Sequence, residues 1–238
     1  MTAVGAGAAV VRVRPGPLPE DEWFSGIPAV RQIQTEGWEL APLTVLVGEN
    51  GAGKSTIVEA LAEAYGMGPE GGSIGSGYST RRTESGLAQY LQLERAIGRP
   101  HHGFFLRAET MHAFYSFLED NPGRGYEPAF HRMSHGESFL ELVGNRMHRR
   151  GFYVLDEPEA ALSFTSCLAL VSRLARAPEE GSQVLLSTHS PVLAALPGAD
   201  VWELGDWGMR RCAWEDLDLV RTWRAFLDAP HRTLRALD

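Results

Sequence analysis

Cysteine is scarce. Only Cys167 and Cys212 carry a thiol among 238 residues, and neither has metal-ligand neighbours. A disulfide scaffold is thereby excluded, and a reducing intracellular compartment is the default. Long apolar runs are also missing, since none approaches the roughly 18 to 20 residues needed to cross a bilayer. The first 19 residues have no basic opening stretch, and Arg12 and Arg14 follow the apolar residues, the wrong order for a signal peptide. A soluble, cytoplasmic protein is expected, with any membrane role coming through a partner. An excess of basic charge is lacking as well: 22 Lys and Arg stand against 30 Asp and Glu, a formal charge of −8. That balance does not suit non-specific duplex binding, although a local patch can outweigh the total.

What is present is enough apolar material for a core, 44% of the chain, at a length that suits one domain with a small subdomain. Gly5, Gly7, Pro15, Gly16, Pro17 and Pro19 mark residues 1–22 as a flexible N-terminal tail giving way to an extended arm. Residues 23–238 form the main domain.

One stretch organises that domain: Gly48-Glu49-Asn50-Gly51-Ala52-Gly53-Lys54-Ser55-Thr56, directly after the apolar run Leu43 to Val47 and directly before a helix-like run. A phosphate-binding loop needs this order. The strand presents the loop, the glycines let successive backbone N–H groups turn toward one anion, and the helix N-terminus lies behind them. Lys54 would reach the β- and γ-phosphates and Ser55 would bind Mg²⁺.

Around the loop, strands are expected over Ile27 to Ile33 and Trp38 to Val47, separated by a turn at Thr35-Glu36-Gly37. A helix is expected from Ser55 to about Tyr65. Residues 66–100 form a variable excursion. Within it 66–86 is rich in glycine, serine and threonine, and Leu87 to Ile97 fits either a strand or a short helix. A strand at Gly103 to Leu106 leads to a helical region over 109–150, which includes a helix from Glu109 to Glu119 and another from Glu137 to about His148. Phe152 to Leu155 reads as a buried strand. The following helix, Phe164 to Ala177, should turn Leu168, Val171 and Leu174 to the core. A strand follows at Gln183 to Thr188, then a hairpin around Gly205-Asp206. The last helix, Asp216 to Leu227, has Leu219, Val220, Trp223, Phe226 and Leu227 on one side. Strands alternating with helices in this way argue for an α/β fold with a mainly parallel core sheet flanked by helices.

The chemistry needs a second acidic motif, and Phe152-Tyr153-Val154-Leu155-Asp156-Glu157 supplies it. Four apolar residues fix Asp156 at a strand end, where it can hold the Mg²⁺ shell, and Glu157 can act as general base on a water in line with the γ-phosphate.

With those motifs in place, the chain resembles an ATP-binding-cassette (ABC) ATPase head, in the broad sense that covers transporter motors and the heads of chromosome-maintenance and repair proteins. Within that class it is similar to small stand-alone bacterial ATPases. The resemblance runs from about Trp23 to the end and implies a P-loop NTPase with an antiparallel β subdomain and a small helical signature subdomain. It also implies ATP and Mg²⁺ as cofactors, held between two heads of an ATP-dependent homodimer. Met133-Ser134-His135-Gly136-Glu137 resembles the signature that one head gives to its mate's nucleotide; Ser134 would donate to the γ-phosphate, while His135 and Glu137 depart from the usual glycine and glutamine. A capping box over Ser134 and Glu137 is the structural alternative. Ser163 replaces the usual aspartate of the loop that crosses the dimer interface. His189, in Ser187-Thr188-His189-Ser190-Pro191, resembles the switch histidine that contacts the γ-phosphate and attacking water. Glu109 takes the place of the metal-assisting glutamine, or only starts the next helix. Arg107 could meet a phosphate or pair with Glu109. Phe24, with Trp23 as the alternative, would stack on adenine unless these aromatics only anchor the arm. The resemblance leaves the partner open: a regulated protein is favoured over a membrane permease or DNA.

Overall fold

The computed structural model describes residues 9–68, 71–75, 86–97, 102–108 and 135–235. Strands buried on both faces read as near-continuous apolar runs, because helices cover a parallel sheet on either side. Leu43–Gly48 (β3), Gly103–Arg107 (β6), Phe152–Asp156 (β7) and Gln183–Thr188 (β8) follow that rule, and β7 and β8 are buried throughout. With Asp200–Gly205 (β9), Gly208–Arg211 (β10) and Gly72–Ser73 (β4) they form a seven-stranded sheet in the order β10-β9-β3-β8-β7-β6-β4. The five central strands run parallel, and β10 and β4 close the edges antiparallel.

Side chains alternate across β3. Val45 and Val47 join one apolar core with Phe139 and Leu142 of His135–Arg146 (α3), Leu170 and Leu174 of Phe164–Ala175 (α4), Leu193 of Pro191–Ala194 (α5), and Val220 of Asp218–Asp228 (α6). Leu46 faces the other core, with Pro28–Glu36 (α1), Lys54–Tyr65 (α2) and a three-stranded antiparallel sheet. That sheet orders Trp38–Glu39 (β2), Val10–Arg14 (β1) and Gln92–Arg95 (β5) as β2-β1-β5. The extended part of the N-terminal arm is thus its central strand. The chain ends its described portion in a short helix, Pro230–Arg235 (α7).

Several elements differ from the sequence expectation. Ile27 to Ile33 is not a strand: Pro28 stands at the first helical position, where its missing N–H costs nothing, and Ala29, Val30 and Ile33 make one buried face of α1. The single strand expected over Trp38 to Val47 is split between the two sheets at Pro42, which cannot donate to a ladder. Leu87 to Ile97 contains both alternatives, a 3-10 turn at Leu87–Tyr90 followed by β5. In α4 the buried stripe is Cys167, Leu170 and Leu174, while Leu168 is 48% exposed. In α6 only Val220 is buried, and Trp223 and Leu227 face outward. The helix expected over Glu109 to Glu119 lies outside the described residues.

Gln183 joins the two sheets. Fully buried, it accepts a hydrogen bond from the Val10 N–H at 2.8 Å and donates to the carbonyls of Val10 at 2.9 Å and Ala41 at 3.1 Å. Gln183→Leu keeps the volume and removes these three bonds in an apolar setting, leaving the Ala41 carbonyl with the Thr44 hydroxyl at 3.2 Å. The expected loss is about 2–4 kcal/mol of stability, measured by denaturant unfolding.

Candidate functional site

The parallel register brings the chemistry together. Val47 at the end of β3 lies opposite Thr188 of β8, and Asp156 at the end of β7 lies opposite Ser187 of β8. The loops leaving these strands therefore meet at one edge of the sheet, where ligands bind in open α/β folds. The loop after β3 ends in Gly53, whose φ of +92° is open to glycine. A Cβ there would also come within 2.5 Å of Ile27 Cγ2, so the residue before α1 supports the loop from behind.

Lys54 is the chain's single lysine. Its side chain is buried and folds back over the loop, with Nζ donating to the carbonyls of Gly48 at 2.9 Å and Glu49 at 3.1 Å. Nζ also lies 2.8 Å from His189 Nε2. The same imidazole nitrogen lies 3.2 Å from a carboxylate oxygen of Glu157. Bare, Nε2 accepts from Lys54; protonated, it donates to Glu157. It cannot do both. Burial lowers the Lys54 pKa, opposed by the charges of Glu157, Asp156 and Glu159.

Glu157 has φ +47°, the one positive value among the described non-glycine residues. Strain of this kind, worth about 1–3 kcal/mol, gathers at functional sites because it aims a side chain that regular structure would not. The turn is fixed by the Glu157 N–H donating to the Ser187 carbonyl at 3.1 Å and by Pro158 at the head of a 3-10 turn, Pro158–Ala161.

Asp156 is 3% exposed. The Ser187 hydroxyl donates to it, the Arg107 guanidinium lies 3.4 Å away, and Arg107 also pairs with Glu59 of α2 at 2.8 Å. Burial pushes the Asp156 pKa up, Glu157 adds to the rise, and Ser187, Arg107 and Ser55 oppose it. A buried carboxylate beside the Ser55 hydroxyl offers hard oxygen donors, which fits Mg²⁺. Among the described residues no group of three or more His, Cys, Asp or Glu could hold a metal ion.

A cleft of about 530 Å³ runs from His189 along the outer lip of the loop to Trp207 and Trp223. Its walls carry the acidic side chains Glu49, Glu203, Asp206 and Asp218, of which Glu203 is paired with Arg210 at 2.6 Å.

The structure thus gathers Lys54, Ser55, Asp156, Glu157 and His189, as the motifs predict. It corrects Phe24: the ring is fully buried, edge-on to Trp23 and 5.9 Å from Tyr90, and cannot stack on a base. Trp23 is 62% exposed on the turn that leads to Ile27. Ser134 and Glu109 lie outside the described residues. Gly136, the second residue of α3, lies against Ser166 and the Ala161 carbonyl, and Glu137 is exposed. Sequence reasoning missed Glu59, Ser187 and Glu159; a glutamate in the apolar run of α2 is the one signal that pointed to the first.

Because the folded pKa of Asp156 is raised, the native state holds this proton more tightly than the unfolded chain. Its contribution to stability is best at low pH and is lost as pH rises through the raised value. Asp156→Asn should therefore raise the thermal midpoint of the nucleotide-free protein at pH 8, with the gain shrinking as pH falls to the ordinary carboxylate range.

A family model described as "AAA domain" matches residues 39–96, and one described as "AAA domain, putative AbiEii toxin, Type IV TA system" matches residues 113–195. No curated protein sequence matches significantly. Among solved structures, an ABC transporter described as of metal-chelate type, in an inward-facing conformation, aligns with TM-score 0.51 at 14% identity over 92% of this chain and 88% of that one. An SmcHead bound to the C-winged helix domain of ScpA aligns with TM-score 0.49 at 13% identity, over 74% of this chain and 92% of its own. The two AAA-domain matches fall on the segments that carry the phosphate loop and the acidic strand end, and the likeness to the ABC transporter chain is one of fold.

Proposed function

We propose that the chain binds Mg²⁺-ATP on the inner face of the 48–56 loop and hydrolyses it with Glu157 as general base, in a head-to-tail homodimer whose closure regulates a partner protein. The observation that carries this reading is the convergence of Lys54 Nζ, His189 Nε2 and the Glu157 carboxylate at the loop's mouth. An arriving triphosphate draws Lys54 away from its own carbonyls and from His189. Nε2 is then free to hold a proton toward Glu157 or the γ-phosphate, and Glu157 is free to take a proton from water. Ser55 and Asp156 would hold the Mg²⁺, whose bound charge offsets that of the phosphates. Trp23 supplies the exposed face for the adenine ring.

Support for the dimer comes from the surface beside the Glu157 turn. Phe164 and Leu168, one helical turn apart on α4, are 67% and 48% exposed, and the start of α3 packs against the same end of that helix. A second copy would cover this apolar rim while presenting residues 133–137 to the nucleotide.

Lys54→Ala should abolish measurable ATP binding by calorimetry. Glu157→Gln should bind ATP as wild type does, lower kcat by about 10²–10⁴-fold, and shift from one chain to two on size exclusion with ATP. Wild-type turnover by Glu157→Gln would remove that residue as base. Trp23→Ala should raise the ATP dissociation constant about tenfold at nearly constant kcat.

A further inference from the structure

Glu159 is two residues beyond Glu157 on the same 3-10 turn, yet neither the phosphate loop nor the metal chemistry uses it. It is not a surface glutamate. One carboxylate oxygen accepts the backbone N–H of His189, and the other is buried with no hydrogen-bond partner among the described residues. Burial raises its pKa, against the His189 N–H and the Thr188 hydroxyl, which favour the charged form. A carboxylate kept in so unfavourable a place needs a compensating role.

The turn meets His189 at two points. The Glu157 carboxylate lies 3.2 Å from the ring nitrogen, and the Glu159 carboxylate holds the main chain. The turn itself is stiff: Pro158 fixes its start, the Ala160 N–H donates to the Glu157 carbonyl at 3.1 Å, and the Leu162 N–H donates to the Glu159 carbonyl at 3.0 Å. Two carboxylates on one rigid turn therefore fix the distance between a ring and a base.

We propose that Glu159 is a positioning residue for hydrolysis: it pins the His189 backbone to the turn that carries Glu157, so that histidine and base move as one unit. The proposal rests on the ATPase reading above and adds a residue to it. What matters is reach, not charge. A glutamine of the same length still accepts the His189 N–H through its amide oxygen. An aspartate keeps the charge, but is one methylene short of the backbone it must hold.

The test compares Glu159→Gln with Glu159→Asp. The Asp variant should lose about 100-fold in kcat, the scale of a misplacement near 1 Å, with KM for ATP within about twofold of wild type. The Gln variant should keep kcat within about threefold of wild type. The ¹⁵N shift of His189 Nε2 in nucleotide-free protein, assigned with His189→Ala, should move in the Asp variant and stay in place in the Gln variant. Wild-type kcat in Asp, equal losses in Gln and Asp, a loss confined to KM, or an unmoved His189 signal in Asp would each overturn the proposal. Thermal unfolding confirms that each variant is folded, and Glu159→Ala replaces the Asp variant if that one is not. Absence of turnover in wild type would instead defeat the ATPase reading, while the histidine signal would still report on the pin.

Discussion

An imidazole nitrogen has one lone pair or one proton, and here two neighbours compete for it. His189 Nε2 is 2.8 Å from the Lys54 ammonium and 3.2 Å from the Glu157 carboxylate. The rest of the site follows from which neighbour it serves. The loop's own carbonyls, His189 and the charges of Glu157, Asp156 and Glu159 offset the burial cost of the Lys54 charge. Under the proposed function, a triphosphate would offer Lys54 a stronger partner and free the histidine, so that nucleotide binding and arming of the base would be one event.

The sheet makes this contact possible. Strands β3, β8 and β7 are neighbours, although β8 follows β3 by well over a hundred residues, and their parallel register puts the loop, the histidine and the two acids at one edge. Three parallel strands can be neighbours only if their crossovers pack on the faces, which is why the apolar stripes of α1 to α6 matter to the geometry of the site. Gln183 at the start of β8 anchors the opposite end of the same strand to the small sheet. The strand bearing His189 is thus held at both ends, by Gln183 below and by Ser187 and the Glu159 contact above.

Much of this was legible in the sequence, where local chemistry decides the outcome. The phosphate loop, the buried strand ending in Asp156-Glu157 and the strand before His189 each combine an apolar run with residues that such a run must present. The antiparallel sheet and mainly parallel core also match the expected fold. Where the sequence misled, tertiary context prevailed. Ile27 to Ile33 is rich in branched residues, but Pro28 and the burial of its helical face decide for α1. Phe24 and Trp23 are adjacent aromatics whose opposite fates depend on Tyr90, far along the chain. Nothing local to Glu159 shows that its carboxylate reaches a backbone N–H thirty residues away.

The single lysine allows the central contact to be observed directly. Protein labelled with ¹³C,¹⁵N-lysine gives one side-chain signal, whose titration follows the Lys54 amine with and without Mg²⁺-ATP. In the nucleotide-free protein the amine should titrate below the ordinary lysine value, and Glu157→Gln loaded with Mg²⁺-ATP should show a higher pKa and a shifted ¹⁵N resonance as the amine exchanges His189 for phosphate oxygens. An ordinary pKa in the empty protein, or a resonance unmoved by nucleotide, would contradict the account.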